Sequence, residues 1–254
     1  MRLTNKNGTI ITDKNSWKLS FIEVDNAKHW EEGRSAYELA KHFSEPSIND
    51  SEGLKKINEC LRLIGYNDIV FTHGQIEHES RFDKFRGKGR MQDLVLWGNT
   101  NEKRIVVCIE AKVDETFGKE IKDAYAAAKK KGGSSNAPKR IEKLIENFHL
   151  GKDSDKIRYQ LLHYLAGSIS EAKQYGDIVF MPIIVYHTSK FNAKKRKKNK
   201  EDYEHFHKSL NFLKMPNTNI YEKEFDGTQV YITYLEIDGK FRGFGPLATA
   251  KSVR

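Results

Sequence analysis

Cysteine is nearly absent from this chain. Only Cys60 and Cys108 occur in 254 residues, the first in a helical pattern and the second inside the apolar run Val106-Val107-Cys108-Ile109, where a thiol behaves as a small hydrophobe. Both are expected to be reduced core residues. No Cys-x-x-Cys pair exists, and His205 and His207 lack companions at zinc spacing, which argues against a structural zinc. No apolar run approaches the ~20 residues needed to cross a bilayer. The first residues, Met1-Arg2-Leu3-Thr4-Asn5-Lys6, are too polar for a secretory signal, so a cytoplasmic location is expected. Walker A, Rossmann and G-x-S-x-G patterns are also missing, against an NTPase, a dehydrogenase or a serine hydrolase.

Positive charge, in contrast, is plentiful. The 44 Lys and Arg residues exceed the 35 Asp and Glu, for a net charge of +9 and a pI near 9.3. Such a balance favours a polyanionic partner. The length suits one substantial core, and a single domain over 1–254 is expected, with an N-terminal helical elaboration over about 1–65.

Periodicity orders the elements. Ala36, Leu39, Ala40 and Phe43 recur at helical spacing, and Ser51-Glu52 caps a second helix whose Leu54, Ile57, Leu61 and Ile64 form one stripe ending at Gly65. Residues 69–113 read as three sequential antiparallel strands. Helices are predicted over 119–130, 139–149, 154–175 and 203–213, a buried central strand over 177–186, and a last strand over 229–237. Residues 129–140 and the basic stretch 190–200 have loop composition. The predicted fold class is α/β, a mixed sheet with helices on both faces.

Within the third strand, Ile109-Glu110-Ala111-Lys112-Val113 carries an acid and a lysine two residues apart, hence on one face. Asp93, in the neighbouring run Met91 to Trp97, would join them. A hard cation such as Mg²⁺ takes one or two carboxylates and completes its shell with water and phosphate oxygens. Asp93 and Glu110 supply that pair, the Ala111 carbonyl a third oxygen, and Lys112 a charge to orient a nucleophile or steady a phosphate. The plain alternative is an ordinary strand pair, but a strand this apolar is usually covered on both faces, where unpaired charge is costly.

In order, spacing and strand context, Asp93 followed by Glu110-Ala111-Lys112 resembles the PD-(D/E)XK, or restriction-endonuclease-like, nuclease superfamily, with Gln92 where the eponymous proline would stand. Gln160 and Tyr164 are similar to the Q-x-x-x-Y element of its RecB-like and lambda-exonuclease-like branches. Positions i and i+4 share a helix face, although Gln and Tyr four apart are common on any helix. The chain also looks similar to an uncharacterised bacterial branch, through the segment 29–36, Glu77-His78, Gln92-Asp93, Glu110 to Glu115, Phe117-Gly118 and Arg158 to His163.

The resemblance implies Mg²⁺-dependent hydrolysis of phosphodiesters, with Mn²⁺ as a substitute, on DNA more readily than RNA and in a restriction or other defence role. It implies that Gln160 helps organise the site, that Tyr164 contacts nucleic acid, and that Glu77 is a third acid. From the residues alone Glu38, Glu52 and Glu79 compete with Glu77. Phosphate contacts are expected from Arg34, Arg86, Lys88 and Arg90, and from Lys195, Arg196 and Lys197 in the basic stretch. Cleavage of both strands by a single-site enzyme would suggest a homodimer. The competing readings are a catalytically inactive nucleic-acid-binding protein of the same fold and a protein-interaction module.

Overall fold

The structure is a computed structural model that describes residues 1–24, 30–130, 135–190 and 192–238. His29 and residues 131–134 of the predicted 129–140 loop lie outside the described residues. In chain order the elements begin with the short strands β1 (Arg2–Thr4) and β2 (Ile10–Ile11) and the helices α1 (Lys14–Val24), α2 (Ser35–Ser44) and α3 (Glu52–Leu63). The strands β3 (Val70–Ser80), β4 (Arg90–Asn99) and β5 (Arg104–Lys112) follow, then the helices α4 (Ile121–Lys130), α5 (Ala137–Asn147) and α6 (Tyr159–Tyr175). The chain continues through β6 (Ile178–His187), α7 (Ala193–Ser209), β7 (Leu213–Lys214), β8 (Ile220–Phe225) and β9 (Thr228–Asp238).

All nine strands belong to one mixed sheet in the order β2-β1-β3-β4-β5-β6-β9-β8-β7. The antiparallel meander β3-β4-β5 forms as its alternation predicts. It joins β6 and β9 through parallel pairs, which place β6 between covered neighbours. Along β6 every residue from Ile178 to Tyr186 is buried.

Two apolar layers cover the sheet. On one face Trp17, Phe21, Leu39, Phe43, Ile57 and Leu61 from α1, α2 and α3 meet Leu94, Leu96, Val107, Ile109 and Phe180. On the other, Leu161, Leu162, Leu165 and Ile169 of α6 meet Val95, Val106, Cys108, Val179 and Ile183. Each such side chain contributes roughly 1.5–3 kcal/mol by leaving water. Helix α3 starts where the Ser51 side chain accepts the Leu54 N–H and stops at Gly65, whose φ of 90° few other residues tolerate.

Several expectations need correction. The region 1–65 is not wholly helical, because β1 and β2 extend the sheet and β1 runs parallel to β3. Strands that short carry too few residues for a period to register. The basic stretch 190–200 is mostly helix rather than loop: α7 opens ten residues before its predicted start of 203, and the Asn192 side chain accepts the Lys195 N–H at its first turn. Lysine and arginine are good helix formers, and Lys198 finds Asp202 four residues on at 2.7 Å. Unpredicted β7 and β8 make a second meander with β9, closed by Asp226-Gly227 with both φ angles positive, as a type I′ turn requires.

Candidate active site

The β4–β5 ladder runs from Asn99/Arg104 to Leu94/Ile109. One residue further, Asp93 Oδ2 accepts the Ala111 N–H at 2.7 Å, so a side chain takes over where the backbone pairing stops. In an extended strand the N–H and C=O of one residue point the same way, which turns the Ala111 carbonyl toward Asp93 as well.

Beneath α6, Glu110 is 1% exposed and surrounded by donors. Lys112 Nζ lies 2.7 Å from Glu110 Oε1, the Gln160 amide donates to the same oxygen at 2.7 Å, and an Arg90 guanidinium nitrogen holds Oε2. Lys112 is buried too, its ammonium 5.7 Å from the Phe117 ring centre. The strand period thus puts Glu110 and Lys112 on one face, and a helix supplies Gln160 to it.

These contacts set the charges. Burial pushes the Asp93 carboxyl up to about 7 and nearby Glu110 pushes it the same way, against Lys112, Arg90 and the Ala111 N–H. Burial also opposes ionisation of Glu110, yet Arg90 and Lys112 outweigh it and hold that carboxyl below the ordinary range. For Lys112, burial is outweighed by Glu110 and Asp93, so its ammonium is held more firmly than usual. Two acids, one reluctant to ionise, and two cations converge.

Glu77 stands opposite Asp93, between the Ile76/Leu94 and His78/Gln92 pairs. Its φ is 48°, a left-handed conformation inside a strand, which costs on the order of 1–3 kcal/mol and persists only where surroundings enforce it. The strands change face here. Ile76 and Leu94 pack toward α1–α3, whereas His78 bonds Glu171 and Gln92 bonds Ser168, both on α6. Among the described residues no group of three or more His, Cys, Asp or Glu side chains converges as a metal-ligand set, so Glu77 does not complete one with Asp93 and Glu110.

The change of face explains Arg90. Strict alternation from Val95 would send Arg90 away from α6, whereas the irregularity at Glu77 turns it under the helix, 8% exposed and paired with Glu110. It is therefore an internal partner of the acid, not a surface grip. Its irregular backbone left no periodic signal in the sequence.

Tyr164 is likewise inside, 1% exposed, with its hydroxyl donating to the Cys108 carbonyl. Arg34 is committed to Asp114, its Nη1 lying 2.8 Å from both carboxylate oxygens, which ties the segment after Lys112 to α2. Arg86 and Lys88 are exposed on the connection before β4, their carbonyls anchored by Asn136 and Arg140. On α7, Lys195 and Lys197 are exposed and Arg196 pairs with Glu236. The same helix meets the segment after Lys112 where Asn199 donates to the Glu115 carbonyl at 2.8 Å.

A family model described as a domain of unknown function (DUF6946) matches residues 11–239. No curated protein and no solved structure matches the chain.

Proposed function

This chain belongs to the DUF6946 family of domains of unknown function, and we propose that it is a metal-dependent nuclease with a restriction-endonuclease-like core, hydrolysing phosphodiester bonds of DNA in preference to RNA. The observation that carries the reading is Asp93 reaching the Ala111 N–H at the mouth of the parted β4–β5 hairpin, beside buried Glu110 and Lys112. A purely structural strand pair has no use for a buried acid beside a half-buried one whose carboxyl is raised to about 7.

The donor set fits a hard divalent cation. Asp93, Glu110 and the Ala111 carbonyl offer oxygen only, and among the described residues no helix is long and apolar enough to cross a membrane. Mg²⁺, or Mn²⁺ in its place, would polarise the scissile phosphate and make a bound water more acidic. Gln160 fixes the Glu110 carboxylate with its amide. Lys112 brings an ammonium to the position where negative charge grows as the phosphorus–oxygen bond to water forms and the bond to the leaving sugar oxygen breaks. The departing oxygen takes up a proton, so one water is consumed per cut.

Exposed Lys195 and Lys197, on a helix joined to the segment following Lys112, are suited to grip the backbone of the substrate, with Arg86 and Lys88 as further contacts. Purified protein incubated with linear and circular DNA and with RNA, in Mg²⁺ or EDTA, tests the proposal. Cleavage in Mg²⁺ that disappears in EDTA and in Lys112→Ala is expected. Intact substrates throughout would remove catalysis and leave a nucleic-acid-binding protein to be sought by salt-dependent binding.

A further inference from the structure

We infer that the site takes a single divalent cation, because Arg90 already stands there as the second positive centre. The inference rests on the nuclease reading and goes beyond it, since nothing in that chemistry calls for an arginine between the acids and α6.

Arg90 is built in. Its guanidinium binds Glu110 Oε2, its charge lies 5.8 Å from the Tyr164 ring centre, and only 8% of the residue is exposed. Helix α6 is cleared for its stem, because a Cβ on Gly167 would come within 2.9 Å of the Arg90 Cβ and 3.0 Å of the Gln92 amide. A guanidinium cannot give up its proton in a protein, so this charge is permanent, unlike that of a lysine in the same place.

Charge balance then limits the metal. A carboxylate that holds a cation is ionised, so Asp93 and Glu110 would supply two negative charges against the two positive ones of Arg90 and Lys112, both of which lie on Glu110. One divalent ion leaves the site at two positive, which an incoming phosphodiester and an attacking hydroxide cancel. A second would leave two uncompensated positive charges in a buried pocket, where desolvation makes them costly. Ligands point the same way: both Glu110 oxygens are already engaged by Arg90, Lys112 and Gln160, leaving few lone pairs for a bridging role.

Mn²⁺ titration of the metal-free full chain, followed by calorimetry and by the free-ion electron-spin signal without nucleic acid, tests this. One Mn²⁺ per wild-type chain is expected. Arg90→Met, which deletes the resident charge, should bind Mn²⁺ at least tenfold more tightly or admit a second ion, whereas Arg90→Lys should stay at one. Two ions on wild type, or Arg90→Met with unchanged or weaker binding, overturns the inference and leaves the nuclease reading standing. No binding at all sinks both, and the wild-type count holds even if a variant fails to fold.

Discussion

The Tyr164 hydroxyl donates to the Cys108 carbonyl at the point in the sheet where Pro182 interrupts the ladder. Pairing between β5 and β6 is continuous up to Val107/Phe180 and resumes at Glu110/Ile183, with the proline in the gap. Proline offers no N–H and is disfavoured in a central strand. The phenol, with the Pro182 carbonyl 3.3 Å away, satisfies the orphaned acceptor from above.

Tyr164→Phe therefore costs stability, by about 1–3 kcal/mol, since it leaves a buried carbonyl unpaired. Urea unfolding reads this directly. Affinity for DNA should stay at the wild-type level, and a selective loss of affinity without loss of stability would return Tyr164 to the substrate surface.

Arg90, Lys112 and Gln160 all converge on the Glu110 carboxylate. Glu110→Ala strands two buried cations and is expected to destabilise the fold by about 3–5 kcal/mol. Glu110→Ala,Lys112→Met should recover part of that loss, because one stranded charge goes with its partner. Denaturant midpoints of both variants check the order, and a double variant less stable than the single one would contradict it.

Acid should weaken the fold through buried histidines. Burial lowers His163 from 6.5 to about 3, so the folded protein keeps it neutral while the unfolded chain protonates it below pH 6.5. The stabilisation it lends is complete above pH 6.5 and is lost as pH falls toward 3, by about 2 kcal/mol at pH 5. Asp93, with its carboxyl raised, works in the opposite sense over the same range. The test is differential: His163→Phe, whose ring still meets Phe82 and Tyr159, should lose about 2 kcal/mol less than wild type between pH 7 and pH 5. Parallel pH profiles would discount the histidine.

On α7, Lys195 and Lys197 are exposed, the latter with Glu201 3.9 Å away, and both are open to phosphates. Reversing both, as Lys195→Glu with Lys197→Glu, should weaken DNA binding without altering the unfolding midpoint, and should reduce the slope of log affinity against log salt by about two. An unchanged slope would move the substrate track elsewhere, with Arg86 and Lys88 next in line.

The strand meander, both main helix stripes and the pairing of Glu110 with Lys112 were legible in the sequence because each rests on a local period. Asp93 was legible as a neighbour because the 98–101 turn fixes which strand lies beside β5. The basic stretch was misread as a loop because its charges have no apolar stripe; the helix packs through Asn199 on the Glu115 carbonyl and, further on, through Tyr203 and Phe206 in the apolar layer. Arg90 and Tyr164 were misplaced for different reasons. Arg90 depends on a backbone exception, the left-handed Glu77, that reverses what alternation implies, whereas Tyr164 was assigned by resemblance and its partner carbonyl is orphaned by a proline on a distant strand.

By itself the sequence determined the class of fold and the acid-and-lysine face of one strand, since the order of periods and the two-residue repeat of a strand need no partner. Only the tertiary structure decided that an arginine faces Glu110. That outcome depends on strands parting at Asp93 and on a glycine in α6 making room, and neither long-range event leaves a mark in local sequence.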